Sequence, residues 1–326
     1  MIMYEDALCP AVSPCVCRGS VTIDCSSQRL VALPMFITMT STFKLLDLSL
    51  NHLGELKENS FEDVQAERID LSFNDIAILY TKTFEKSRKL KFLNLNHNLL
   101  QTLPIGFGKL LRQLTTLLLK FNSFTNFLPE WFDGFTNLKF LDLSGNQLGF
   151  IPTPALRKLE SLSTLTLRQI GLSKIPRDAF KGVKVEILNL GNNKDIKIEK
   201  DSFCGIDPQT SILRLDHSHI RQIPVGCILK LVESVRLLDL SGNPLHCDCS
   251  VLSANLFYAI SLGTIAQCAS PKKFAGELVQ RVNSTQCQVR SGQCIDSCSE
   301  SRSSSYQIMS IYVFVICLGL TYFNYD

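Results

Sequence analysis

The residues best equipped for chemistry in this 326-residue chain are its thirteen cysteines, most of them gathered near the two ends. Cys9, Cys15, Cys17 and Cys25 follow a C-x5-C-x-C-x7-C pattern, while Cys247, Cys249, Cys268 and Cys287 follow C-x-C-x18-C-x18-C. Such clusters suit pairwise disulfide formation, although four cysteines allow three pairings and spacing alone leaves the choice open. A zinc site is disfavoured, because one residue between Cys247 and Cys249 is tighter than the usual gap of about two to four. Cys204 and Cys227 stand apart, either as a further bridge or as buried thiols acting as small hydrophobes. Cys294 and Cys298 are spaced to pair with each other.

No second constellation points to a reaction. The histidines (His52, His97, His217, His219 and His246) read as surface-loop residues. Asp47, Asp70, Asp142 and Asp239 recur singly, as a sparse acidic column rather than a close acid pair. With no phosphate loop, metal spacing or nucleophile motif, the chain reads as a non-enzyme with no metal or cofactor.

The elements that carry the cysteines come from a repeat. Between Phe43 and Leu245 an apolar residue recurs at the first, fourth and sixth positions of nine successive copies, usually with Asn at the ninth. Those ninth positions are Asn51, Asn74, Asn98, Asn122, Asn146, Ile170, Asn193, Ser218 and Asn243, spaced 23 to 25 residues apart. A fixed period of this length is the signature of a solenoid. Each copy reads as a short strand and a turn, with the fourth and sixth side chains inward and the third, fifth and seventh outward. A second apolar anchor follows: Phe61, Phe84, Phe107, Phe132, Leu156, Phe180, Phe203 and Cys227. A buried Asn is expected to bond the backbone of its own turn and the next, which leaves irregular turns at Ile170 and Ser218.

These motifs resemble the extracellular leucine-rich repeat, with its Leu-Pro-like step before the Phe, as in Leu103-Pro104 to Phe107 and Ile175-Pro176 to Phe180. The resemblance implies an α/β solenoid, a horseshoe with a concave parallel sheet, and binding rather than catalysis. The end clusters, the second opened by Asn243-Pro244-Leu245-His246-Cys247-Asp248-Cys249, look like that family's cysteine-rich caps, which seal the exposed ends of the stack and imply an oxidising compartment. The resemblance favours the pairs Cys9–Cys17, Cys15–Cys25, Cys247–Cys268 and Cys249–Cys287. In layout it is similar to Nogo-receptor-like, Slit-like and variable-lymphocyte-receptor-like proteins, and more distantly to Toll-like ectodomains.

The expected organisation is an unassigned start at 1–8, an N-terminal cap at 9–42, repeats at 43–245 and a C-terminal cap at 246–287. A polar stalk at 288–305 and an apolar tail at 306–326 follow. The tail is short and has no Lys or Arg beyond it, so a glycolipid-attachment signal is favoured over a membrane-spanning helix. Met1 to Leu8 has the features of no secretory leader, which suggests a truncated start. Asn283 of Asn283-Ser284-Thr285 is the glycosylation acceptor.

Net charge is +3 with no basic cluster along the sequence, so nucleic acid is not expected as a partner. The outward positions instead assemble Phe73, Asn96, His97, Lys120, Phe121 and Arg168, extended by Phe92 and Phe140. Aromatic and cationic side chains of this kind anchor protein interfaces. The expected function is a membrane-tethered recognition or adhesion receptor whose protein ligand lies on the concave face and which signals through a co-receptor. The competing expectation is a secreted matrix-organising spacer.

Overall fold

The computed structural model describes residues 14–19, 21–36, 42–199, 201–224, 231, 235–248 and 266–282. Cys9, Cys227, Cys249, Cys287, Cys294, Cys298, Asn283, the polar stalk and the apolar tail lie outside the described residues. The chain forms two compact units, Met1–Gly171 with Val183–Val185, and Leu172–Gly182 with Glu186–Asp326.

The first unit is a solenoid. Its strands are β1 (Val16–Arg18), β2 (Thr22–Asp24), β3 (Thr42–Asp47), β4 (Glu55–Leu56), β5 (Gln65–Asp70), β6 (Ile78–Leu79), β7 (Phe92–Asn94), β8 (Thr116–Leu118), β9 (Phe140–Asp142) and β10 (Thr164–Thr166). After the antiparallel pair β1–β2, every neighbour in the order β2-β3-β5-β7-β8-β9-β10 is parallel. The register sets Ile23, Leu46, Ile69, Leu93, Leu117, Leu141 and Leu165 side by side, each fully buried. Ile23 belongs to the segment before the repeats, so that segment continues the coil register. β4 and β6 form a separate parallel pair.

Each strand is short because the chain turns at one residue. Position eight is left-handed in every coil: Leu50, Phe73, His97, Phe121, Gly145 and Gln169 have φ between 52° and 71°. Ser27, ahead of the first copy, does the same at 57°. The Asn that follows holds the turn. Asn74 Nδ2 donates to Leu48 O at 3.0 Å and Leu71 O at 3.1 Å, while its Oδ1 accepts the Leu53 N–H at 3.0 Å. Asn98, Asn122 and Asn146 repeat this pattern. The bonds therefore join each coil to the preceding one, not to the next as anticipated, because the amide points back toward the carbonyl that the preceding coil's own Asn also bonds.

The far wall is aromatic. Phe61 and Phe84 stack with centroids 5.0 Å apart, Phe84 meets Phe107 edge-on, and Phe107 meets Phe135 edge-on. Phe124, Phe127 and Trp131 fill the coil between. Cys15 is bonded to Cys25 at the start of the unit.

The second unit contains β11 (Ile187–Asn189), β12 (Ile212–Arg214) and β13 (Leu237–Asp239), all parallel, with Leu188, Leu213 and Leu238 in register and fully buried. Phe180 stacks on Phe203. Beyond the sheet, β14 (Leu245–His246) pairs with β15 (Cys268–Ser270), and Cys247 is bonded to Cys268. Cys17 and Cys204 are also disulfide-bonded.

The turns at Ile170 and Ser218 are not irregular. Gln169 and His217 keep the left-handed conformation, with φ of 53° and 52°. Ser218 accepts the Asn193 N–H on its hydroxyl and donates that hydroxyl to Asp216 O, doing part of the Asn's work. Ile170 is fully buried, its side chain filling the place of the Asn, and its carbonyl accepts the Gly149 N–H at 2.7 Å.

Candidate functional site

The outward face of the first unit's sheet carries the expected binding residues. Its floor is the row in which Leu45, Arg68, Phe92, Thr116, Phe140 and Thr164 are register partners. Its rim is the left-handed position-eight column. A residue with φ near +55° sends its side chain in a different direction from the strand before it, which is why the rim residues meet each other rather than the floor.

On the rim, Phe73 and His97 stack with centroids 4.2 Å apart and planes 9° from parallel. His97 then packs on Phe121 at 4.6 Å and 41°. Lys120 Nζ sits 4.8 Å from the centre of the Phe121 ring, a cation–π distance. The run ends at Gly145, where a β-carbon would collide with the Phe121 ring. Leu50 and Phe73 are exposed, at 54% and 48%. His97, Lys120, Phe121, Asn96, Arg168, Phe92 and Phe140 are half-buried. Burial, then the neighbouring Lys120 charge, lowers the His97 pKa, so the stacked imidazole is neutral at neutral pH.

The structure gathers Phe73, Asn96, His97, Lys120 and Phe121 over three adjacent coils. Asn96 has a structural task as well, its Oδ1 accepting the Lys120 N–H at 2.7 Å. The Arg168 N–H donates to Ser144 Oγ at 3.2 Å, placing it two coils past Lys120. Phe92 does not extend the rim: the Arg68 guanidinium lies 3.7 Å above its ring. Arg68 was missed by sequence reasoning, since its contact depends on the β5–β7 register, though its outward third position was a usable signal.

The acidic column also changes meaning. Asp47 Oδ1 accepts the Ser49 N–H at 3.0 Å and the Ser49 hydroxyl at 2.7 Å, and Asp24 and Asp70 do the same with Ser26 and Ser72. Asp239 repeats it with Ser241 in the second unit. The hydroxyl of Ser26 is the main cause of the lowered Asp24 pKa. These carboxylates close turns, and the Asp-x-Ser spacing was the signal that revealed it. Among the described residues no group of His, Cys, Asp or Glu is arranged to hold a metal ion.

Comparison with known proteins gives a consistent result. Residues 39–139 match the BspA type leucine rich repeat region and residues 112–171 the leucine rich repeat. Tsukushi-A of Xenopus laevis is 30% identical over 204 residues, covering 62% of this chain and 57% of that protein. The match thus spans little more than half of the relative's length. Human 5T4 (Wnt-activated inhibitory factor 1, trophoblast glycoprotein) superposes with a TM-score of 0.64 at 20% identity, covering 88% of this chain and 100% of that one. A chain from the octameric complex of Latrophilin 3, Unc5D and FLRT2 gives 0.60 at 19% identity, covering 86% and 100%. At these identities the two structures speak for the fold alone.

Proposed function

Because the chain belongs to the leucine-rich-repeat proteins of the extracellular, disulfide-bonded class, we propose that it is a membrane-tethered recognition or adhesion receptor gripping a protein ligand on the outward face of its sheet. The observation that carries this reading is the Phe73–His97–Phe121 stack, half exposed at its Phe73 end and flanked by Lys120. Aromatic side chains held rigid before contact lose little entropy on binding, which makes them effective anchors. The proteins in the superposed FLRT2 complex assemble with one another, which supports a protein as the ligand class. Tethering rests on the short apolar tail, 306–326, and a co-receptor belongs to the same proposal.

The test is capture of cell-surface protein by the full disulfide-intact chain against a Phe73→Ala, Phe121→Ala, Arg168→Ala variant. Loss of at least tenfold in affinity, with the fold retained by circular dichroism, is expected. Equal capture retires the face as the binding site. The stack also packs coil against coil, which favours a second reading: a secreted matrix-organising spacer. Release from cells by a phosphatidylinositol-specific phospholipase supports the lipid-tethered form, and a spacer gives none.

A further inference from the structure

The same sheet has a second outward feature at the opposite ends of its strands. Folding brings Lys44, Arg88, Lys89, Arg112 and Lys139 onto the leading ends of their coils, with Arg68 of the floor row beside them, all six exposed. The stacking is fixed by a chain of backbone bonds, from Lys91 N to Glu67 O, Thr115 N to Lys91 O and Lys139 N to Thr115 O. Lys89 reaches back along the stack, its Nζ donating to Thr42 Oγ1 at 2.7 Å. Among the described residues none of these six cations pairs with a carboxylate. The acids on this flank are Glu67, engaged by Lys91 at 3.3 Å, Asp133, engaged by Lys158 at 3.2 Å, and Glu62, Asp63 and Glu85, which precede β5 and β7. The other end of the strands has the turn-closing aspartates instead.

We infer that this strip is a binding site for a linear sulfated polysaccharide, a function separate from the protein-ligand face. Cations on flexible stems repeat along the stack at roughly 4.8 Å per coil, a geometry suited to a chain with charge at short intervals. The intervening positions, Gln113, Thr115, Thr136 and Asn137, are polar, so the strip lacks the buried apolar anchors on which a protein partner depends. Single-stranded nucleic acid stacks successive bases on free aromatic platforms, and of the two rings in the adjoining row Phe92 is capped by Arg68, which leaves Phe140 as a single platform. The run Lys86-Ser87-Arg88-Lys89-Leu90-Lys91 groups four cations within six residues of the sequence, and the stack sets Lys44, Arg112 and Lys139 of other coils along the same flank.

The test uses the full disulfide-intact chain on immobilised heparin, against a Lys44→Gln, Lys89→Gln, Arg112→Gln, Lys139→Gln variant. The wild type should be retained at about 0.15 M salt and released at higher salt, since attraction to a polyanion rises with the counterions displaced. The variant should bind at least tenfold more weakly, and desulfated heparin should retain neither. Phe73→Ala should leave heparin retention unchanged, which separates this site from the protein-ligand face. Absence of retention, equal retention of the variant, or equal binding of the wild type to duplex DNA or poly-glutamate overturns the proposal.

Discussion

Phe121 lies against Gly145, one coil further along, in space that any β-carbon at that position would occupy. The ring column exists only because its last member is a glycine, which is also free to adopt φ of 71°. Gly145→Ala is expected to destabilise the protein by about 2–4 kcal/mol, combining left-handed strain with overpacking. Gly149→Ala shares the positive φ but meets open space, so about 1 kcal/mol is expected. Denaturant midpoints of the two variants make the comparison.

Protonation of His97 should weaken the fold. Its folded-state pKa is lowered from 6.5, chiefly by burial and secondly by Lys120, so the unfolded chain binds that proton more readily. The stability this group protects is complete above the unfolded value of 6.5 and is lost as pH falls through it toward the folded value. Melting temperature should therefore drop as pH falls below about 6.5, and His97→Gln should reduce the drop. An identical drop in both proteins would show that other groups are responsible.

Asn122→Ala should cost about 1–3 kcal/mol, because it leaves the Leu100 N–H buried without a partner and leaves the Leu95 and Leu119 carbonyls to the Asn98 and Asn146 amides alone. Amide exchange at Leu100 should quicken with it, and an unchanged exchange rate would contradict the ladder.

Opening the Cys247–Cys268 bond by Cys268→Ala should cost about 2–5 kcal/mol, since it frees β14 from β15 and removes a crosslink from the unfolded chain. Calorimetry of the variant measures it.

The period made the coil legible, because each inward leucine and each Asn answers to its own strand. Phe61 to Phe203 could be read as a wall for the same reason. What sequence did not reveal depends on neighbouring coils: the direction of the Asn bonds, the Arg68 contact with Phe92 and the left-handed rim. The rim had a trace, since Gly, Asn and His at position eight tolerate positive φ, but Phe73 and Phe121 masked it. Ring stacking then turned residues expected to splay outward into a ridge whose members cover one another.

The recognition proposal is tested most directly by site-specific photocrosslinking on intact cells, with the crosslinker placed in turn at Phe73, at Phe121 and at Ile105, the last 70% exposed and outside the ring column. A covalent adduct to the same surface protein from Phe73 and Phe121, with none from Ile105, is the expected result. An adduct from Ile105 alone would contradict the assignment of recognition to the sheet face.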